Sequence, residues 1–64
     1  MNLFKINQKY KIVLKIGNEL SYYTIIVIEE DSTHFRFKDK FKKEFIFSKD
    51  LIKSVREINN DETY

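Results

Sequence analysis

Leu20-Ser21-Tyr22-Tyr23-Thr24-Ile25-Ile26-Val27-Ile28-Glu29 crowds Tyr, Thr, Ile and Val into one continuous segment. Such side chains lose rotamer freedom against the preceding turn of a helix but pack well on a pleated surface, so the segment predicts a long strand. Alternation puts Tyr23, Ile25 and Val27 on one face and Tyr22, Ile26 and Ile28 on the other. Both faces are apolar in the middle. A strand of this kind is either strongly bent, serving two faces of a barrel, or covered on its second side by another subunit.

Upstream, residues 10–16 place Tyr10, Ile12, Leu14 and Ile16 on one face and Lys11 and Lys15 on the other, the period of a half-buried strand. Gly17-Asn18 then offers a tight hairpin turn that accepts positive φ. Downstream, Glu30-Asp31-Ser32-Thr33 reads as a polar turn, and His34-Phe35-Arg36-Phe37-Lys38 as a third strand with both Phe rings inward. Asp39-Lys40-Phe41-Lys42-Lys43 has the composition of a hairpin loop and Glu44-Phe45-Ile46-Phe47 that of a fourth strand. Ser48 suits the cap of one 3₁₀ turn running to Leu51, and residues 52–58 close as a fifth strand. The expected fold is all-β: a small five-stranded, strongly bent antiparallel barrel with one 3₁₀ turn before the last strand. One domain covers residues 1–58, and residues 59–64 form a polar, frayed tail. Leu3-Phe4-Lys5-Ile6 fits a short strand, a helical turn or a loose arm, and the sequence leaves all three open.

With 64 residues there is room for one core only, worth roughly 3–5 kcal/mol. The chain has no Cys, so disulfides and Cys-based metal sites cannot reinforce it. The longest apolar run, residues 25–28, is far below the roughly 20 residues of a membrane span. The opening residues lack the apolar region of a signal peptide. The expectation is a cytoplasmic protein with no membrane partner. Phe, Tyr, Met, Ile, Asn and Lys, whose codons are AT-rich, fill 35 of the 64 positions. That composition points to an AT-rich gene such as phages, mobile elements and low-GC bacteria or archaea carry.

Several segments taken together, Glu29-Glu30-Asp31, Phe37-Lys38-Asp39-Lys40-Phe41, Ile52 and Val55-Arg56-Glu57-Ile58, resemble the small bacterial, archaeal and phage barrels of the Sm-like or Src-homology-3-type (SH3-like) class. The resemblance spans about two thirds of the chain and implies the bent barrel already read from the strands. Two departures stand out. Thr24-Ile25-Ile26 occupies the place where such barrels carry a Gly early in the second strand. Lys42 stands where they favour Gly after Asp-Lys-Phe, so a loop of that shape would hold Lys42 at positive φ. The Asp and Asn with which Sm proteins grip uridine have no counterpart here, Glu29 and Thr33 falling nearby, and that base recognition is not carried over.

The residue inventory points to a non-enzymatic protein with no cofactor. No Cys nucleophile is present, and His34, the single His, has no second His with which to hold a metal. His34 reads as a surface or partly packed side chain. Glu29, Glu30 and Asp31 could in principle hold a hard cation, but beside a turn they read as a solvated cluster. One Gly rules out a Gly-rich phosphate loop. Net charge is only +2, yet it is segregated: Arg36, Lys38, Lys40, Lys42 and Lys43 crowd one hairpin, with Phe41 at its tip. Lys11 and Lys15 point outward on the first strand, read as its neighbour. Cations beside an exposed ring are how single-strand binders hold RNA or DNA. The plainer reading is an edge strand guarded by lysines, with Phe41 folded back as a lid. Tyr22, Tyr23, Ile26 and Ile28 form a candidate subunit interface, and self-association into a homo-oligomer would reinforce so small a core. The alternative function is that of a phage or mobile-element protein that inhibits or scaffolds a host protein, or sequesters a small anionic ligand.

Overall fold

The structure, a computed structural model, describes residues 2–58. The expected frayed tail lies outside them. Five strands follow in order: β1 (Lys9–Ile16), β2 (Glu19–Glu30), β3 (His34–Asp39), β4 (Glu44–Ser48) and β5 (Ile52–Glu57), with a 3₁₀ turn at Lys49–Leu51 between the last two. All neighbours are antiparallel, in one sheet of order β4-β3-β2-β1-β5. Among the described residues no ladder joins β4 to β5, so each end strand has one hydrogen-bonded neighbour.

The bend comes from β2. Its first part pairs with β1 (Lys9↔Ile26 to Ile16↔Glu19) and its second with β3 (Ile25↔Asp39 to Glu30↔Phe35), so one strand serves two differently directed ladders. A register shift between Val27 and Glu29 leaves Ile28 as an extra residue, and a second shift leaves Lys53 extra on β5. Bulges of this kind raise the local twist and curl a sheet. Gly17, at φ 63°, turns β1 into β2 in a region that other residues enter at a cost.

Curling encloses one face. Tyr10, Ile12, Leu14, Ile25, Val27, Phe35 and Phe37 are buried there, and Tyr23, Phe45, Phe47, Leu51 and Ile52 pack against them. Phe35 and Phe37 stack at 5.4 Å between centroids, and Tyr23 lies 5.6–6.4 Å from Phe37, Phe45 and Phe47. Ile16, expected on this face, is 38% exposed, because the hairpin carries it past the end of the core.

Residues 2–8 form a docked arm without a strand or a helix. Phe4 is buried, 5.1 Å from both the Tyr10 and Phe35 rings. The Leu3 and Phe4 amides donate to the two carboxylate oxygens of Glu30 at 2.6 and 3.1 Å, and the Asn7 amide donates to the Val27 carbonyl at 2.8 Å. Lys49 Nζ reaches the same Glu30 carboxylate at 2.6 Å, where the Glu30 side chain is only 2% exposed. Burial, the largest influence on that carboxyl, favours its neutral form. The Leu3 amide, Lys49 and the Phe4 amide together outweigh it and hold the pKa below the ordinary carboxylate range. Glu30 is therefore a buried clasp joining the arm, β2 and the 3₁₀ turn, and not part of a solvated acidic cluster. Its neighbours also have structural partners: Glu29 pairs with Arg36 at 3.3 Å. Asp31 accepts from the His34 and Thr33 amides at 2.7 and 2.9 Å, which lower its pKa and shape the β2–β3 turn.

Candidate functional site

Because the apolar side chains of β1 and β2 alternate inward, the residues between them stand on the opposite, outer face. Cross-strand pairing sets Arg56, Lys11 and Thr24 abreast across β5, β1 and β2, with Ser54, Val13 and Tyr22 as the next row. At one side of this face the β3–β4 hairpin adds Lys40 and Phe41. The result is a groove of about 690 Å³ in which Lys11, Lys40 and Arg56 surround Val13, Tyr22 and Phe41. Tyr22 and Phe41 are each 73% exposed. Among the described residues, Asp39 is the one carboxylate on the groove wall.

Asp39 is also what shapes the hairpin. Its Oδ1 accepts from the Phe41 and Lys43 amides, both at 2.9 Å. Its own amide donates to the Lys43 carbonyl at 2.9 Å, and its carbonyl accepts from the Lys42 amide at 3.0 Å. Four hydrogen bonds thus close the loop on one residue. The tightness of that closure puts Lys42 at φ 67°, the strain expected from a Lys in a place suited to Gly. Phe41 is held out from the body of the protein, and Lys40 Nζ lies 5.4 Å from its ring centroid.

The hairpin cations predicted from sequence do not all line one recess. Arg36 lies between Glu29 and Glu44, at 3.3 and 3.4 Å, so its charge is already matched by two carboxylates. Lys38 stands on the outer face opposite Ile26 and Glu44, outside the groove wall. Lys42 and Lys43 are exposed but line neither recess; of the five hairpin cations, the groove includes Lys40. Lys11 does belong to the groove, although β1 is not a neighbour of β3: β2 lies between them. Nor is β3 an edge strand, since β4 covers it, and Phe41 is no lid. The edge strand on this side is β4, and Lys42 and Lys43 sit in the loop that leads into it. In the proposed interface set, Tyr23 turns inward to the core, Ile26 and Ile28 are half-buried, and Tyr22 is the member that faces solvent.

Arg56 was not singled out in the sequence. Its place depends on the non-local pairing Lys11↔Arg56. The available signal was the alternation of β5, which sets Ser54 and Arg56 on the face opposite Val55. A second recess, about 300 Å³, is lined by Glu29, Glu30, Asp31, His34, Arg36 and others. His34 Nδ1 lies 2.8 Å from the Thr33 hydroxyl there. Among the described residues no group of three or more His, Cys, Asp or Glu is gathered as metal ligands, and no helix is long and apolar enough to cross a membrane.

Fold and groove together define a small all-β protein with an aromatic, cationic groove on the outside of its sheet. In comparison with known proteins, no family model, curated protein or solved structure matches the chain.

Proposed function

We propose that this protein is a non-enzymatic, Sm-like or SH3-like small barrel that binds nucleic acid through its outer groove, in a regulatory or accessory role. The observation that carries the reading is the clustering of Lys11, Lys40 and Arg56 around two exposed rings, where the Asp39 carboxylate on the wall has its Oδ1 taken up by backbone amides. Cations in a concavity gather phosphate charge, and each phosphate contact releases counterions. The five antiparallel strands, the single 3₁₀ turn and the one-sided core support the barrel assignment. The binding surface differs from the hairpin patch expected from sequence. It is centred on β1, β2, β5 and the Lys40–Phe41 tip.

Fluorescence anisotropy with a labelled oligonucleotide over a range of salt tests the reading. Three contacts, each contributing roughly 0.7–0.9 to the slope of log affinity against log salt, give a slope of about −2 to −3. Reversing Lys11, Lys40 and Arg56 to Glu together should abolish it, whereas reversing Lys42 and Lys43 should cost little. Absence of binding to any oligonucleotide at low salt would refute the reading.

Self-association is a second reading, favoured by the two strand edges left at β4 and β5 and by Ile46, 65% exposed on β4. Sedimentation over a concentration series tests it, and a monomer throughout would reject it.

A further inference from the structure

We infer that the groove selects unpaired bases: it takes single-stranded nucleic acid, with one base lying on Tyr22 and another on Phe41. The inference rests on the nucleic-acid reading above and adds the form of the strand and the means of holding it.

Three observations lead there. The first is the position of the rings. Tyr22 and Phe41 come from different elements, β2 and the β3–β4 hairpin, yet both open into one groove at 73% exposure. Every base has a π-face, but a duplex stacks and pairs its bases and leaves edges alone accessible in its grooves. Within a nucleic acid, these rings can stack only on bases that have left the helical stack. The second is shape. Readers of duplex DNA insert a protruding helix or ribbon into the major groove, whereas here the cations line a concavity, and Phe41 at the hairpin tip belongs to its wall.

The third is the pairing of ring with charge. Lys40 Nζ stands 5.4 Å from the Phe41 centroid. Tyr22 stands opposite Val13, one row from the Lys11 and Arg56 pair. Phe41 thus has a cation beside its ring and Tyr22 has two cations one row away, a spacing that suits the base and phosphate of a nucleotide. The Phe41 platform is also pre-formed: the Asp39 carboxylate holds the loop through the Phe41 and Lys43 amides before any ligand arrives. A loop backbone already held in place loses little freedom on binding, which lowers the entropic cost of stacking on its ring. Stacking of this kind tolerates any sequence.

The test compares three labelled probes of equal length: oligo-deoxythymidine, a strand of the same phosphates with abasic sites, and a duplex. The wild-type protein should bind the thymidine strand roughly 5- to 150-fold more tightly per stacked base than the abasic strand. The duplex should follow the abasic strand. Tyr22→Ala and Phe41→Ala should each remove a share of that preference without changing the salt slope, and Tyr22→Phe should keep it. Both rings are exposed, so these losses cannot be ascribed to unfolding. Equal affinity for all three probes, with the alanine variants unchanged, would overturn the stacking inference and leave charge-driven nucleic-acid binding standing. Failure of all three probes to bind would overturn both.

Discussion

The two faces of the sheet use the same kinds of residue to opposite ends. On the inner face Phe35, Phe37, Phe45, Phe47, Tyr10 and Tyr23 pack ring on ring and close a core; on the outer face Tyr22 and Phe41 stand in solvent among cations. Tyr22 and Tyr23 are adjacent in sequence, and the period of two alone sends one to each side. The inner rings are explained by stability. The outer two contribute almost nothing to it, and a chain that exposes two large rings in one concavity has a surface suited to a partner. That contrast separates the rings that fold this protein from the rings the proposed function would use.

Substitutions at the two faces should separate sharply. Phe37→Ala should cost about 3–5 kcal/mol, the whole of what so small a core supplies, and leave the chain unfolded by circular dichroism. Phe41→Ala should shift stability by no more than about 0.5 kcal/mol in urea titration. Similar losses from both would erase the contrast.

The clasp beneath the inner face comes next. Glu30→Gln weakens the ion pair with Lys49 and the hydrogen bonds from the Leu3 and Phe4 amides, at a cost of about 1–3 kcal/mol. A pKa lowered on folding contributes stability that is present above the unfolded value and lost as pH falls through the folded one. Acid unfolding of the wild type should therefore be steeper than that of the Gln variant. Asp31, lowered by the His34 and Thr33 amides, keeps part of the acid limb in both. Identical pH profiles would show that Glu30 is not the clasp.

The smallest effect sharpens the boundary of the groove. Lys42→Gly relieves a left-handed Lys, a gain of about 0.5–1 kcal/mol after the entropy of Gly is counted. Since Lys42 is outside the groove wall, oligonucleotide affinity should stay within about twofold. A large loss of affinity would return the interface to the hairpin.

Much of this was legible because it is local. Alternation and turn residues predicted each strand to within a residue or two and the Ser48-capped 3₁₀ turn, and the resemblance to small barrels with Gly after Asp-Lys-Phe implied the positive φ of Lys42. What escaped was non-local. Nothing in residues 29–31 says that Glu30 turns in to meet Lys49 and the arm while Glu29 meets Arg36. Nothing in residues 36–43 says that Arg36 is matched while Lys40 reaches a wall shared with Lys11 and Arg56. Charge counted along the chain does not show which cations share a recess; strand order and register do.

The most direct test is a nuclear magnetic resonance titration of the isotope-labelled protein with oligo-deoxythymidine. The account predicts shifts concentrated at residues 11, 13, 22, 24, 40, 41, 54 and 56, with the aromatic signals of Tyr22 and Phe41 moving most. Quiet resonances there, with the shifts gathered instead around Glu29, His34 and Ile46 or along β4, would contradict it.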